Sequence, residues 1–147
     1  MEFLAGAAGV ESVLELGIGI GRIALPLAAR GIAVHWVDAS ESMVAELRAK
    51  EGGGDIPVAM GDFASMPVDG EFSLIFVTFN TFFAILTQED QVRCFRGVAE
   101  HLVTGGAFAL RGFVPDLTRF NRQQTTDTLD VGITRVELEA TRHDRAD

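Results

Sequence analysis

The first clear pattern in the chain is a short apolar run, Ser12-Val13-Leu14-Glu15-Leu16, that stops at Gly17. Its length and β-branched content predict a strand. Arg22 to Arg30 then carries Ile23, Ala24, Leu27 and Ala28 on one side of a 3.6-residue period, which predicts a helix ending at Gly31. Pro26 inside it removes one backbone donor, so a kink or a short first turn is expected. Ile32 to Val37 predicts a second strand. Ser40 predicts an N-cap for a helix to about Glu51, with Met43, Val44 and Leu47 inward. After the Gly52-Gly53-Gly54-Asp55 loop, Ile56 to Met60 predicts a short third strand. Phe72 to Phe79 is apolar throughout and reads as a strand buried on both faces.

Thr87-Gln88-Glu89-Asp90 has capping-box spacing. The helix it opens is expected to turn Val92, Phe95, Ala99 and Leu102 inward and to end at Gly105-Gly106. Ala107 to Val114 predicts a fifth strand, stopped by Pro115. Strand and helix patterns that alternate in this way imply an α/β fold: a Rossmann-like doubly wound sheet of five parallel strands with flanking helices. Residues 116–147 form a more polar tail. Val136, Leu138 and Ala140 alternate there with Arg135, Glu137, Glu139 and Thr141, predicting one antiparallel strand at 134–141.

Composition narrows the class. The 147 residues are 48% hydrophobic and 22% charged, which is globular and fits a single domain spanning 1–147. Mean hydropathy is +0.24. The formal net charge of -9 disfavours nucleic acid and anionic membrane as partners. Cys94 is the single cysteine, so no internal disulfide forms. The N-terminus lacks a basic region ahead of its apolar residues, and no run approaches membrane-span length, so a cytoplasmic protein is expected.

Candidate chemistry gathers at the carboxyl ends of the predicted strands, where doubly wound sheets bind ligands. The first strand runs into Gly17-Ile18-Gly19-Ile20-Gly21-Arg22. Arg22 stands where a dinucleotide fingerprint needs Gly or Ala, and the Gly-Lys-Ser/Thr of a phosphate loop is absent. Asp38 lies 21 residues after Gly17, placed to accept hydrogen bonds from ribose hydroxyls. Gly61-Asp62-Phe63 ends the third strand, a carboxylate and a ring that suit adenine. Each feature alone is weak; their order on three successive strands is the stronger signal.

The run VLELGIGIGR, then VDAS, then GDF, resembles the motif series of class I S-adenosylmethionine-dependent methyltransferases of the small-molecule type. FSLIFVTFNTFF and HLVTGGAFAL resemble that family's fourth- and fifth-strand motifs, and the likeness covers roughly residues 11–115. The resemblance implies transfer of a methyl group from S-adenosyl-L-methionine to a small-molecule acceptor by in-line displacement, leaving S-adenosyl-L-homocysteine. It implies that Glu15, Gly17, Gly19 and Gly21 line the methionine part of the cofactor and that Arg22 meets its carboxylate. It further implies that Asp38 holds the ribose, with Ala39 and Met43 beside it. Asp62 and Phe63 would hold the adenine, and Asn80 would sit near the reacting methyl. An acid-rich mouth suits a sulfonium cation better than a pyrophosphate.

No residue is assigned as a catalytic base, and no His/Cys cluster has metal-ligand spacing. His101 reads as a solvated helix residue, His35 as structural, and His143 as part of a surface charge run. Phe79, Phe82 and Phe83 are either an apolar wall or ordinary core, core being the commoner role. FNTFF lacks the Pro-Pro-Tyr/Phe signature of base-methylating enzymes. Arg111-Gly112 stands where the family often has an acid.

Only about 32 residues follow Pro115, too few for the family's last helix and hairpin, and Phe3, Leu4, Ala7 and Ala8 read as the stub of a longer helix. The chain thus reads as a methyltransferase core, truncated at both ends as a fragment or a shortened member. The alternatives are a non-catalytic S-adenosylmethionine-binding module lacking the substrate lid, and a nicotinamide oxidoreductase, which Arg22 disfavours. An uncovered fifth strand also predicts a homodimer built around that strand or the tail, with 121–130 as a hinge.

Overall fold

Alternation along β1 (Val13–Leu16) decides which layer each side chain enters, because successive residues of a strand face opposite ways. Val13 packs into one apolar cluster, and Leu14 and Leu16 into the other. The computed structural model describes residues 12–114, 124–131 and 136–142. Within 12–113, β1 is followed by α1 (Ala24–Ala28), β2 (Val34–Asp38), α2 (Glu41–Arg48), β3 (Val58–Met60), β4 (Phe72–Val77), α3 (Gln88–His101) and β5 (Leu102–Leu110). The strands form one sheet in the order β3-β2-β1-β4-β5, every neighbouring pair parallel. This is the five-stranded Rossmann-like sheet that the alternation predicts. The β3-to-β4 connection carries a 3-10 turn at Phe63–Ser65 in place of an α-helix.

Helices α1 and α2 cover one face, burying Ala24, Leu27, Val44 and Leu47 against Val13, Trp36, Leu74 and Phe76. Helix α3 covers the other, where Cys94 and Val98 meet Ile75, Val77 and the turn residue Phe63. Pro26 falls in the first turn of the five-residue α1, where a missing donor costs little, so the short turn expected there is what forms. Ser40 caps α2 by accepting from the Met43 amide at 3.3 Å. The helix ends at Arg48, short of Glu51.

Several expectations are corrected. Met43 is 48% exposed and does not enter the core with Val44 and Leu47. The inward face of α3 is not Val92, Phe95 and Ala99, all exposed, but Cys94 and Val98. Small side chains let the helix lie close: a Cβ on Gly97 would meet the Met66 side chain. Phe95 goes to the rim, 5.4 Å from the Phe82 ring and 5.7 Å from Phe108. His101 is half-buried, its ring nitrogens 2.8 Å from the Gly97 carbonyl and 3.1 Å from that of Val68. His35 is exposed, edge-on to Phe72.

α3 does not run to Gly105-Gly106. β5 starts at Leu102, and its pairing with β4 is irregular between Phe72 and Leu74, with Gly105 at φ +82°. The Thr87 cap is present, its hydroxyl accepting from the Asp90 amide at 3.1 Å and donating to the Asp90 carboxylate at 2.7 Å.

The contacts divide the chain at Phe113/Val114 into two units. The second contains an antiparallel pair, β6 (Gln124–Val131) and β7 (Val136–Arg142). The tail therefore holds two strands where one was predicted, and the polar stretch expected as a hinge is mostly β6. Its Thr-rich sequence pairs in register with β7 from Gln124 to Thr128, Thr128 opposite Leu138 and Thr126 opposite Ala140, and the register shifts between Thr128 and Asp130. His143 and the residues before Ser12 lie outside the described residues.

Candidate functional site

The loop after β1 is bound to β2 before any ligand is considered. Gly17 and Ile18 amides both donate to the Val37 carbonyl, at 2.8 and 3.1 Å, and Gly19 donates to Asp38 Oδ2 at 2.6 Å. From behind, Lys50 Nζ holds the Ile20 carbonyl at 2.8 Å. Gly17 sits at φ +78°, a conformation that side chains disfavour, and a Cβ there would collide with the Thr81 methyl. At Gly21 the constraint comes from the helix layer, since a Cβ there would strike Leu47; its absence lets the loop close on α2.

Two adjoining cavities open at the carboxyl end of the sheet. The smaller, about 300 Å³, is lined by Glu15, Gly17, Gly19, Arg22, Met43, Thr78, Phe79 and Thr81, with three isoleucines. The larger, about 790 Å³, is bordered by Asp38, Ala39, Ser40, Asp62, Phe63, Thr87 and Asp90, among others. Gly17, Gly19, Met43 and Thr81 border both. A separate cavity of about 760 Å³ lies along β3, lined in part by His35 and Trp36, and shares no residue with these two.

Asp38 lines the larger cavity, bonded to Gly19, which borders both. It is 8% exposed, and each carboxylate oxygen accepts one backbone donor: Gly19 on Oδ2, and Ser40 on Oδ1 at 2.7 Å. A carboxylate accepts about four hydrogen bonds, so acceptor capacity remains for hydroxyl donors in the cavity. The Asp38 carbonyl accepts from Gly61 at 2.9 Å, which brings the ends of β2 and β3 together. Asp62, exposed, caps the turn through the Ala64 amide at 2.8 Å, and Phe63 is buried behind it.

Glu15 is 2% exposed, and its carboxylate accepts from Trp36 Nε1 at 3.1 Å. Burial pushes its pKa up from 4.5 to about 8; the Trp36 hydrogen bond pulls the other way, and the nearby Asp38 charge adds to the rise. Arg22 lies 4.0 Å from the centre of the Phe79 ring. Phe79 itself has φ +55°, unusual for a bulky residue, and lies outside β4, which ends at Val77 and not at the predicted Phe79.

The structure thus brings ten of the eleven predicted residues to the loop, its packing or the two cavities. Asn80 is exposed at the start of the Thr81–Ala84 turn and borders neither cavity. Of the three aromatics, Phe82 is core, Phe79 lines the small cavity, and Phe83 pairs edge-on with Phe113 at 5.4 Å. Sequence reasoning missed Thr78, Thr81 and the cavity-side role of Asp90. Polar residues closing a long apolar run were the available signal for the threonines. Among the described residues, no group of three or more His, Cys, Asp and Glu is placed to hold a metal, and no helix is long and apolar enough to cross a membrane.

The fold has counterparts among known proteins. A methyltransferase domain family model matches residues 13–106. A cypemycin N-terminal methyltransferase from a Streptomyces species is 37% identical over 97 residues, 66% of this chain and 40% of that protein. The CcbJ methyltransferase from Streptomyces caelestis superposes with a TM-score of 0.84 at 38% identity, over 97% of this chain and 59% of that one. The glycopeptide N-methyltransferase MtfA, solved with S-adenosyl-L-methionine, gives a TM-score of 0.66 at 25% identity, over 97% of this chain and 64% of that one. The chain spans two fifths of the first relative and about three fifths of CcbJ. With a family model covering β1 to the start of β5, the chain belongs to the class I S-adenosylmethionine-dependent methyltransferases.

Proposed function

We propose that this chain binds S-adenosyl-L-methionine across the two adjoining cavities and supports methyl transfer to an amine nitrogen of a small-molecule or peptide acceptor. The observation that carries the reading is Asp38, clamped by the Gly19 and Ser40 amides on the wall of the larger cavity with acceptor capacity to spare. When bound, the cofactor supplies an electrophilic methyl on a sulfonium. Asp38 holds the ribose hydroxyls, and Asp62 and Phe63 border the adenine side. Glu15 and the glycine loop line the methionine side, with Arg22 at the mouth. In-line displacement at carbon needs alignment and exclusion of water more than a special nucleophile. Phe79, with Thr78 and Thr81, forms the wall on the β4 side.

The nitrogen acceptor is supported by relatives named for N-terminal and glycopeptide N-methylation. The reading takes residues 1–147 as one cofactor-binding core with its hairpin unit, working in the cytoplasm, where a lone buried Cys94 stays reduced. Self-association through the β5 edge belongs to the same reading.

The test is thermal unfolding with S-adenosylhomocysteine or S-adenosylmethionine. Ligand at 100 times its Kd adds about 2.7 kcal/mol of stability, a clear rise in Tm. No rise with either at millimolar concentration overturns the proposal. Transfer of labelled methyl to an amine, but not to its N-acylated form, checks the nitrogen.

A further inference from the structure

Two carboxylates are buried in the sheet unit, and they are satisfied differently. Asp38 has a backbone donor on each oxygen. Glu15 has one protein donor, the Trp36 indole on Oε2. Its Oε1 has no donor among the described residues, yet it is not sealed off as a buried unsatisfied atom, and Glu15 lines the small cavity. An acid that is buried from bulk solvent thus presents one free oxygen to a ligand space.

The surroundings do not neutralise it. On β2, Trp36 donates, while Asp38 is a like charge. On β4 the paired residue is Phe76, buried and apolar. α2 contributes Met43 to the cavity, and the segment after β4 contributes neutral Thr78 and Thr81. Arg22, the one other charged residue of the lining, stacks on Phe79. Lys50 is engaged by the Ile20 carbonyl behind the loop and by Glu46.

We propose that Glu15 stands as a carboxylic acid in the free protein and ionises when the cationic methionine part of the cofactor enters, so that binding expels one proton. The balance is simple: the Glu15 O–H bond breaks, the proton goes to solvent, and the carboxylate remains as counter-ion to the ligand. The proposal rests on the methyltransferase reading and adds to it a charge-selective, proton-linked cofactor site. The raised pKa agrees with the geometry, since burial favours the neutral acid. A cation within about 4–6 Å reverses that preference.

The cation is an ammonium or a sulfonium, and three ligands separate the sources. S-adenosylhomocysteine carries the ammonium alone, S-adenosylmethionine carries both, and 5′-methylthioadenosine carries neither. Titration calorimetry of the whole chain at pH 7, in phosphate and in Tris, reads the protons released. Net release of up to one proton is expected with the cationic ligand, and none with methylthioadenosine. Affinity for that ligand should rise by up to tenfold from pH 6 to 7 and stop rising near pH 8, where Glu15 is ionised and the ligand's own ammonium loses its proton. Release with S-adenosylhomocysteine assigns the ammonium; release with S-adenosylmethionine alone assigns the sulfonium.

Glu15→Gln should lose the Glu15 proton release and the rise in affinity from pH 6 to 7, leaving only the contribution of the ligand's own amine, which is subtracted. Should that variant fail to fold, Trp36→Phe removes the stabilising donor and should move the midpoint of release to higher pH. Binding of both cationic ligands with no proton release, or equal release in Glu15→Gln, overturns the proposal and leaves the methyltransferase reading intact. Failure of all three ligands to bind overturns that reading, and the proposal with it.

Discussion

Asp38 and Glu15 show how far single residues could be read. The spacing from Gly17 and the strand end placed Asp38 at the ligand side of the sheet. It could not show that Gly19 and Ser40 amides hold both carboxylate oxygens, because those bonds depend on the conformation of two loops. Asp38→Asn keeps the shape and removes the charge. Charge-assisted hydrogen bonds are worth about 1.5–3 kcal/mol, so S-adenosylhomocysteine affinity should fall at least ~10-fold by calorimetry. Unchanged affinity would place the ribose elsewhere. Glu15 was legible as an acid beside the glycine loop but not as a buried one, since strand parity does not say which face is sealed. Its folded pKa is raised to about 8, so the folded state binds more protons than the unfolded state between about 4.5 and 8. That contribution is fully present below pH 4.5 and is lost as pH rises through 8. Without ligand, urea unfolding should show stability declining across this window by roughly 1 kcal/mol per pH unit from this group. In Glu15→Gln the component should vanish.

At the scale of elements, existence and order were legible and faces were not always so. Continuous apolar runs marked β1 and β4, and Ser40 and Thr87 marked where α2 and α3 start. For α3 the sequence offers two apolar stripes at helical spacing. The larger residues, Val92 and Phe95, look like the core, but packing distance decides otherwise: Cys94, Gly97 and Val98 allow close approach to the sheet and to Met66. The consequence is measurable. Val98→Ala removes two buried methyl groups and should cost about 2 kcal/mol in urea unfolding. Val92→Ala, at an exposed position, should stay within about 0.5 kcal/mol. The reverse ranking would restore the face that periodicity suggests. Met43 illustrates the same ambiguity on α2. It sits one position off the buried stripe and so borders both cavities, its sulfur 3.6 Å from where a Gly19 Cβ would stand.

At the scale of the whole molecule, the sheet has two outer strands, β3 and β5, and among the described residues the longer of them, β5, has no partner on its outer side. β5 is the outer strand beside β4, and among the described residues it pairs with β4 alone, while β6 and β7 pair with each other. The Arg111 amide donates inward to Val77, so by strand alternation the Leu110 amide points outward. Leu110 is also 43% exposed, and the Phe113 side chain beyond it is 56% exposed. An apolar edge with free donors recruits another strand. The full chain should therefore run as a dimer in light scattering at micromolar concentration. Leu110→Pro removes the outward donor without touching the bond to Val77, and proline is tolerated on edge strands in that orientation. It should shift the dimer to monomer while leaving S-adenosylhomocysteine affinity unchanged, because β5 lines neither of the two cavities. A deletion meant to test the hairpin should fall after Val114, since one at Asp130 cuts β6 before its last residue. If the full chain and the deletion are both monodisperse monomers, the β5 edge is not the association surface.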